Sequence, residues 1–403
     1  MRAALTALAI LSAPALTLPG PALAATDEGE VIVPCGGPFA SFVTRMEQAA
    51  VARGADPATA QAFFSGVRQD QATLAADRRQ GVFTLPFVDF ARRLISQARL
   101  QNGQALSQRH DDIFDRVEQQ FGVSRGVLLA FWAFETDFGA VQGDFNTVNS
   151  LVTLGHDCRR PGLFQPQVLA ALELYARGDL DPVTTTGAWA GEIGMVQMLP
   201  EDILTNGTDG DGDGRVTLKT SVADALMSGG KMLSDLGWRA NEPWIEEVTV
   251  PADMDWSRAG LSTRMPPRDW QALGITARDG SFAAPDLPAT LLLPQGKDGP
   301  AFLGYPNFDV FFEWNQSFTY VLTAAYFATR IEGAPVFDAG NPTAPLGDAD
   351  MKRLQQKLQS RGHDVGQIDG ILGAGTRAAI RAEQSRLGLP ADAWPTRALL
   401  DAL

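Results

Sequence analysis

Cysteine is almost missing from this chain. Only Cys35 and Cys158 occur in 403 residues. That limits the protein to one bridge or two free thiols; in an oxidising compartment a bridge would tie the start of the mature chain to the segment around residue 158. A surplus of basic charge is also missing. The formal net charge is −14 and the pI is near 4.7, which argues against nucleic acid or anionic lipid as the main partner. Beyond the N-terminus no stretch of 18 consecutive apolar residues occurs, so no membrane-spanning helix is expected. What is present is ordinary for a globular protein: 45% apolar residues, in a chain long enough for two or three domains.

The N-terminus is short of basic residues too, with Arg2 alone among the first 25. Ala3 to Leu18 is apolar and interrupted by Pro14, and Ala22-Leu23-Ala24 has the small-x-small pattern of a cleavage site. Residues 1–24 therefore read as a signal peptide cleaved near Ala24. The run is too short, and too broken by proline, for an anchor. No lipid-attachment cysteine follows it, so the expected destination is the periplasm.

From Pro38 to about Gln119 the pattern is helical. Phe39, Phe42, Val43 and Met46 recur at helical spacing, and Asp56-Pro57 reads as an N-cap with a first-turn proline. Val127 to Gly139, VLLAFWAFETDFG, reads as a helix buried nearly all round, with Gly139 as its stop and Glu135 near its end. A carboxyl group half sunk in apolar surroundings has its charged form disfavoured, which suits a general acid near neutral pH. The plainer alternative is a helix-end glutamate that turns to solvent.

Residues 187–200, GAWAGEIGMVQMLP, are glycine-rich and fit a loop. Residues 209–215, DGDGDGR, place Asp209, Asp211 and Asp213 at positions 1, 3 and 5 of a calcium-loop pattern, with Arg215 at position 7. Position 12 is Thr220, not glutamate, so a solvated turn without metal stays open. Helices are expected over about 222–236 and 317–331, and short strands at 245–250 and 290–293. Residues 334–347, with three prolines and two glycines, read as a linker. Residues 348–403 read as a separate small unit of three helices.

Taken together, ETDFG at 135–139, GEIGMVQMLP at 191–200, and the acidic loop followed by a helix ending in Gly237-Trp238 resemble lytic murein transglycosylases of the B type. HDCRRP at 156–161, GPAFLGYPNF at 299–308 and the N-x-S at Asn315 and Ser317 match as well. The last unit resembles the small peptidoglycan-binding domain through LQQKL at 354–358, IDG at 368–370 and G-x-G-T at 373–376.

The resemblance implies a mainly α protein. Its parts would be a lysozyme-like catalytic domain at 25–333 with small β elements, and a three-helix wall-binding domain at 348–403. It implies cleavage of the MurNAc–GlcNAc bond of peptidoglycan glycan strands to give 1,6-anhydroMurNAc ends. One glutamate, Glu135, would serve as acid and then as base; Asp137, two residues further on, reads as structural. Gln197, Gly191, Gly194, Asn307, Trp314, Asn315 and Ser317 would line the substrate. Asp209, Asp211, Asp213, the Arg215 carbonyl and Asp224 would hold a structural calcium ion in a loop spanning 209–224. No organic cofactor is implied, and cell-wall synthesis or division proteins are the partners to expect. The chain departs from the family's usual residues at Glu201, Lys231-Met232 and Trp314. A catalytically weak scaffold that binds the wall and a muramidase that uses water are the rival readings.

Overall fold

The computed structural model describes residues 29–78 and 85–403; the expected signal peptide lies outside them. The chain divides into two compact units, one of Met1–Gln80 and Ala105–Asp235, the other of Gly81–Gln104 and Leu236–Leu403.

The first unit is helical, and its short helices start where the sequence provides caps. Asp56 accepts a hydrogen bond from the Thr59 N–H at 2.8 Å, which satisfies one of the donors a helix start leaves open. Ser124 caps the helix Arg125–Thr136, in which every residue from Gly126 to Thr136 is buried. With no polar face to solvate, this helix is the axis of the unit, and Asp111–Phe121 and Val222–Asp235 pack against it. Each fully buried Leu or Phe along it contributes about 2 kcal/mol. It ends three residues before Gly139. Asp137, Phe138 and Gly139 all take positive φ, at 50°, 60° and 84°, and the Phe138 N–H reaches back to the Trp132 carbonyl at 3.1 Å.

The N-terminal segment is fixed to this unit covalently and by one amide. Cys35 and Cys158 are joined in a disulfide. The Gln165 side chain accepts from the Ile32 and Val33 N–H groups and donates to the Val33 and Gly155 carbonyls, at 2.7–3.0 Å. Asp77 is buried and paired with both Arg159 and Arg160.

The second unit is built on a four-stranded antiparallel sheet in the order Thr276–Ala277, Ile245–Thr249, Phe302–Gly304, Thr290–Leu292. Ile245 stands opposite Gly304, and Thr290 stands opposite Gly304 on its other side. Val248, Trp256, Trp270, Leu291, Leu303 and Tyr305 form the core over this sheet. The Phe302 strand is one that the sequence pattern did not suggest, because three buried residues in a row carry no alternation. Helices Pro306–Trp314 and Phe318–Ile331 follow.

The three C-terminal helices, Asp348–Ser360, Ala374–Arg386 and Arg397–Ala402, enclose their own core of Met351, Leu354, Leu358, Ile380, Leu399 and Leu400. The proline-rich stretch before them is not a free tether. The Asn341 N–H donates to the Asp298 carbonyl at 2.7 Å, and Trp394 Nε1 donates to the Thr343 carbonyl at 2.9 Å. The module is also held directly, by Lys297 N–H to Asp392 at 3.0 Å and Arg377 to the Pro294 carbonyl at 2.9 Å. Linker composition alone could not reveal these anchors.

Candidate active site

Glu135 is buried, 6% exposed, in the last turn of the central helix. The three left-handed residues after Thr136 turn the chain sharply away from it. Asp137 occupies the C-cap position, so its backbone serves to end the helix.

The glycine-rich segment 187–198 is clamped onto this helix end. The Thr136 hydroxyl donates to the Met195 carbonyl at 2.7 Å and accepts from the Gly139 N–H at 2.9 Å. Gly191 and Gly194 have φ of 94° and 83°. A Cβ on Gly191 would lie 2.2 Å from the Leu151 side chain, and one on Gly194 would lie 2.4 Å from Leu218. Their expected reason was a close pass by substrate; the structure supplies another, the packing of the loop against two leucines.

Gln197 is in the same segment and has φ of 54°, a left-handed conformation that costs a residue with a side chain about 1–2 kcal/mol. Its Nε2 donates to the Gly194 carbonyl at 2.7 Å. Its Oε1 is buried and has no hydrogen-bond partner. The same holds for Gln142 Oε1, on the segment just after the helix, and for Glu192 Oε2 within the loop. Trp132 Nε1, on the helix itself, is a buried donor without an acceptor. Buried polar atoms without partners are rare in folded proteins, and here four of them lie in three segments that meet. Unfilled acceptors and a donor on a glutamate-bearing helix end suit a ligand rich in hydroxyl and amide groups.

Sequence reasoning missed Glu192 and Gln142. Glu192 is 5% exposed. Burial pushes its carboxyl up to about 7; the charge of Glu135 pushes the same way, while backbone N–H groups of Glu192 and Ala190 and the Arg160 guanidinium oppose both. The signal was available: one acidic residue in an otherwise uncharged stretch, GAWAGEIGMVQMLP.

The acidic loop is brought together in part. Asp209, Asp211 and Asp213 each place a carboxylate oxygen within 4.8 Å of the others, on an exposed surface. Asp209 also organises the loop, accepting from the Gly212 N–H at 2.7 Å and the Gly214 N–H at 2.8 Å. Asp224 is not in this group. It is fully buried, with Oδ1 accepting from the Gly210 N–H at 2.9 Å and Oδ2 from the Thr217 N–H at 2.7 Å. Those hydrogen bonds make Asp224 the clasp that closes the loop. The Arg215 guanidinium donates to the Gly178 carbonyl at 2.7 Å, which leaves only its own carbonyl for a ligand role.

Asn307, Trp314, Asn315 and Ser317 belong to the second unit. Asn307 is completely used by the fold: Oδ1 accepts from the Arg239 N–H at 2.7 Å, and Nδ2 donates to the Arg239 and Glu242 carbonyls at 2.8 and 2.9 Å. Asn315 ends one helix and accepts from the Ser317 N–H at 2.9 Å. Ser317 caps the next helix through the Tyr320 N–H at 3.4 Å. These residues were expected to touch sugar; the structure gives Asn307, Asn315 and Ser317 backbone partners, Asn307 at the start of one helix and Asn315 and Ser317 at the corner between that helix and the next. Trp314 is the half-buried last residue of Pro306–Trp314.

Residues 38–329 match the family described as Transglycosylase SLT domain, and residues 347–403 match the Putative peptidoglycan binding domain. The chain is 26% identical over 238 residues to Membrane-bound lytic murein transglycosylase B of Escherichia coli K12, and the match covers 58% of this chain and 64% of that protein. The structure resembles that of SltB3 from Pseudomonas aeruginosa in complex with NAG-NAM-pentapeptide. The TM-score is 0.84 and the identity 37%, and the match covers 91% of this chain and all of that one. The Escherichia coli lytic transglycosylase Slt35, solved in complex with calcium, shares the fold at a TM-score of 0.64 and 22% identity, over 76% of this chain and 98% of its own.

Proposed function

This chain belongs to the transglycosylase SLT domain family, and on that premise we propose that it cleaves the MurNAc–GlcNAc β-1,4 bond of peptidoglycan and leaves a 1,6-anhydroMurNAc end. The observation that carries the reading is Glu135, buried at the helix end onto which Thr136 ties the loop of Gln197, whose side-chain oxygen, like that of Gln142, is unfilled. Protonated Glu135 gives its proton to the glycosidic oxygen as the bond to C1 breaks. The substrate's own N-acetyl oxygen supports the charge at C1. Ionised Glu135 then takes the proton from the C6 hydroxyl as that oxygen bonds to C1. Because the substrate provides both the participating group and the nucleophile, no second protein carboxylate has to attack. Gln197 Oε1 accepts from a sugar hydroxyl or amide and fixes the glycan in register.

The module at 348–403 holds the wall, and the expected N-terminal signal and the Cys35–Cys158 bridge fit a protein exported to the periplasm. Asp209, Asp211 and Asp213 supply hard oxygens, the donor type calcium takes. An ion there would neutralise three converging charges and stiffen the loop; it takes no part in the bond cleavage. Cell-wall synthesis or division proteins are the partners this activity would serve.

The test is digestion of purified sacculi followed by mass spectrometry of the released muropeptides. Anhydro ends are expected. Ends heavier by one water would make the protein a muramidase. Sacculi that are bound but uncut would make it a scaffold. Calcium added to chelator-treated protein should raise the melting temperature; an unmoved midpoint removes the ion.

A further inference from the structure

Lys219 has no part in that mechanism, yet it touches both segments that carry unfilled amide oxygens. Its carbonyl accepts from Gln142 Nε2 at 3.1 Å, and the same nitrogen donates to the Gly139 carbonyl at 3.1 Å. Its ammonium donates to the Thr186 carbonyl at 2.7 Å and to the Thr186 hydroxyl at 2.6 Å. Thr186 and Gly187 form the short strand from which the glycine-rich loop departs, paired with Asn146 and Phe145 just beyond Gln142. One residue before Lys219, the Leu218 carbonyl accepts from the Met195 N–H at 2.9 Å, in the middle of the loop. Leu218 and Lys219 thus hold the base of the loop, its middle and the Gln142 amide.

Packing alone does not fix the loop here. A cavity of about 180 Å³ opens among Ile193, Ile203, Val216, Leu218 and Lys219, and walls that face open space lose the contacts that would pin them. The tip of the loop is tight in itself. Ile193 and Met198 exchange two backbone hydrogen bonds, at 2.8 and 3.1 Å, across the turn that contains Gln197. Gln197 Nε2 also lies 3.4 Å from the Gln142 carbonyl oxygen. Where this tip stands therefore depends on the bonds at Thr186 and Met195. The Lys219 ammonium is half-buried against neutral partners, and burial pushes its pKa down. What it supplies in return is a charge-assisted hydrogen bond, stronger than a neutral donor would make.

We propose that Lys219 is a positioning residue for glycan binding: its ammonium clamps Thr186 and its carbonyl clamps Gln142, so the unfilled oxygens of Gln197 and Gln142 are fixed before the sugar arrives. The inference rests on those two oxygens receiving the glycan, as in the reading above. Lys219 does not touch the sugar. It removes an ordering cost that binding would otherwise bear. Glu135 is carried by the buried helix and not by this loop, so the chemical step keeps its rate once glycan is bound.

The test is affinity for soluble, uncrosslinked glycan strands, measured by calorimetry on full-length protein carrying Glu135→Gln so that nothing is cut. Adding Lys219→Met, which keeps the stem and removes the ammonium, should weaken binding about tenfold; Lys219→Arg, which keeps a cationic donor, should recover most of it. In the active enzyme Lys219→Met should raise KM by a similar factor and leave kcat within about twofold. In a Gln197→Gly background the same change should cost much less, because a side chain it positions is gone. Binding by the C-terminal module does not pass through Gln197, so this cycle isolates the loop. Unchanged affinity in Lys219→Met, an equal loss with and without Gln197, or a fall in kcat at constant KM overturns the proposal. If Lys219→Met does not fold, Thr186→Val removes the hydroxyl acceptor alone and should move affinity the same way; unchanged affinity there overturns it as well. Glycan that is bound but left uncut by the wild type overturns the transglycosylase reading instead, and the affinity series still decides the role of Lys219.

Discussion

Two sets of polar side chains look alike in the sequence and differ in what they do. Asn307, Asp224 and Gln355 are buried and completely partnered. Gln355 alone donates to the Gln367 and Ile371 carbonyls at 3.2 and 3.1 Å and accepts from the Gly370 N–H at 2.8 Å. Gln197, Gln142 and Glu192 are held as firmly, but each keeps one buried oxygen without a partner. The first set is spent on the fold, closing turns whose backbone groups would otherwise be stranded. The second set has capacity left over, and it surrounds the end of the helix that carries Glu135. Membership in a motif does not separate the two sets; a count of hydrogen bonds does.

The comparison can be broken or sharpened by substitution. The largest effect belongs to Glu135→Gln, which should lower anhydro-muropeptide release by about a thousandfold or more while leaving folding and wall binding intact. Release near the wild-type rate would move the acid elsewhere. Next comes Asn307→Leu, expected to cost about 2–4 kcal/mol in urea unfolding because it strands buried groups of Arg239 and Glu242. Its folded fraction should keep full activity; a selective loss of activity would return Asn307 to the substrate. Gln197→Gly should act in the opposite sense. Release falls about tenfold with the lost sugar contact, while the melting temperature holds or rises because glycine relieves the positive φ. A fall in stability with activity intact would place Gln197 in the partnered set.

A pH effect on stability follows from Glu192. Its folded pKa is raised to about 7, so the stability tied to its neutral form is complete below its unfolded value of about 4.3 and is lost as pH rises through 7. The slope of melting temperature over that window should flatten in Glu192→Gln. The smallest change is Ala393→Gly in the C-terminal module, where φ of 61° favours glycine; a gain of up to about 1 kcal/mol is expected in thermal unfolding.

Much of this was legible in the sequence. The buried helix announced itself because it has no polar face, and Asp56-Pro57 marked a helix start through chemistry local to a few residues. Glu135 stood out as the one carboxyl group in that buried helix, and the resemblance gave it its role and picked out Gln197. The helix end at Thr136 was not legible, since two residues with side chains adopt left-handed backbone before the glycine that looked like the stop. The clasp made by Asp224 was hidden for a related reason. A carboxylate's partners here are backbone N–H groups, and these have no letter in the sequence. Glu192 was passed over because only the folded loop brings it within range of Glu135.

The disulfide makes the first unit partly a ring. Cys35 and Cys158 are 123 residues apart, and the covalent circle they close contains Glu135 but not Gln197. A single protease cut anywhere inside that circle would open it without releasing a fragment. The nicked protein would run as one species until reduced, and would then separate at the cut. A cut between residue 158 and Gln197 would instead leave no covalent link between the acid and the amide. The two halves of the site therefore differ in their covalent security, and partial proteolysis with and without reductant would show it.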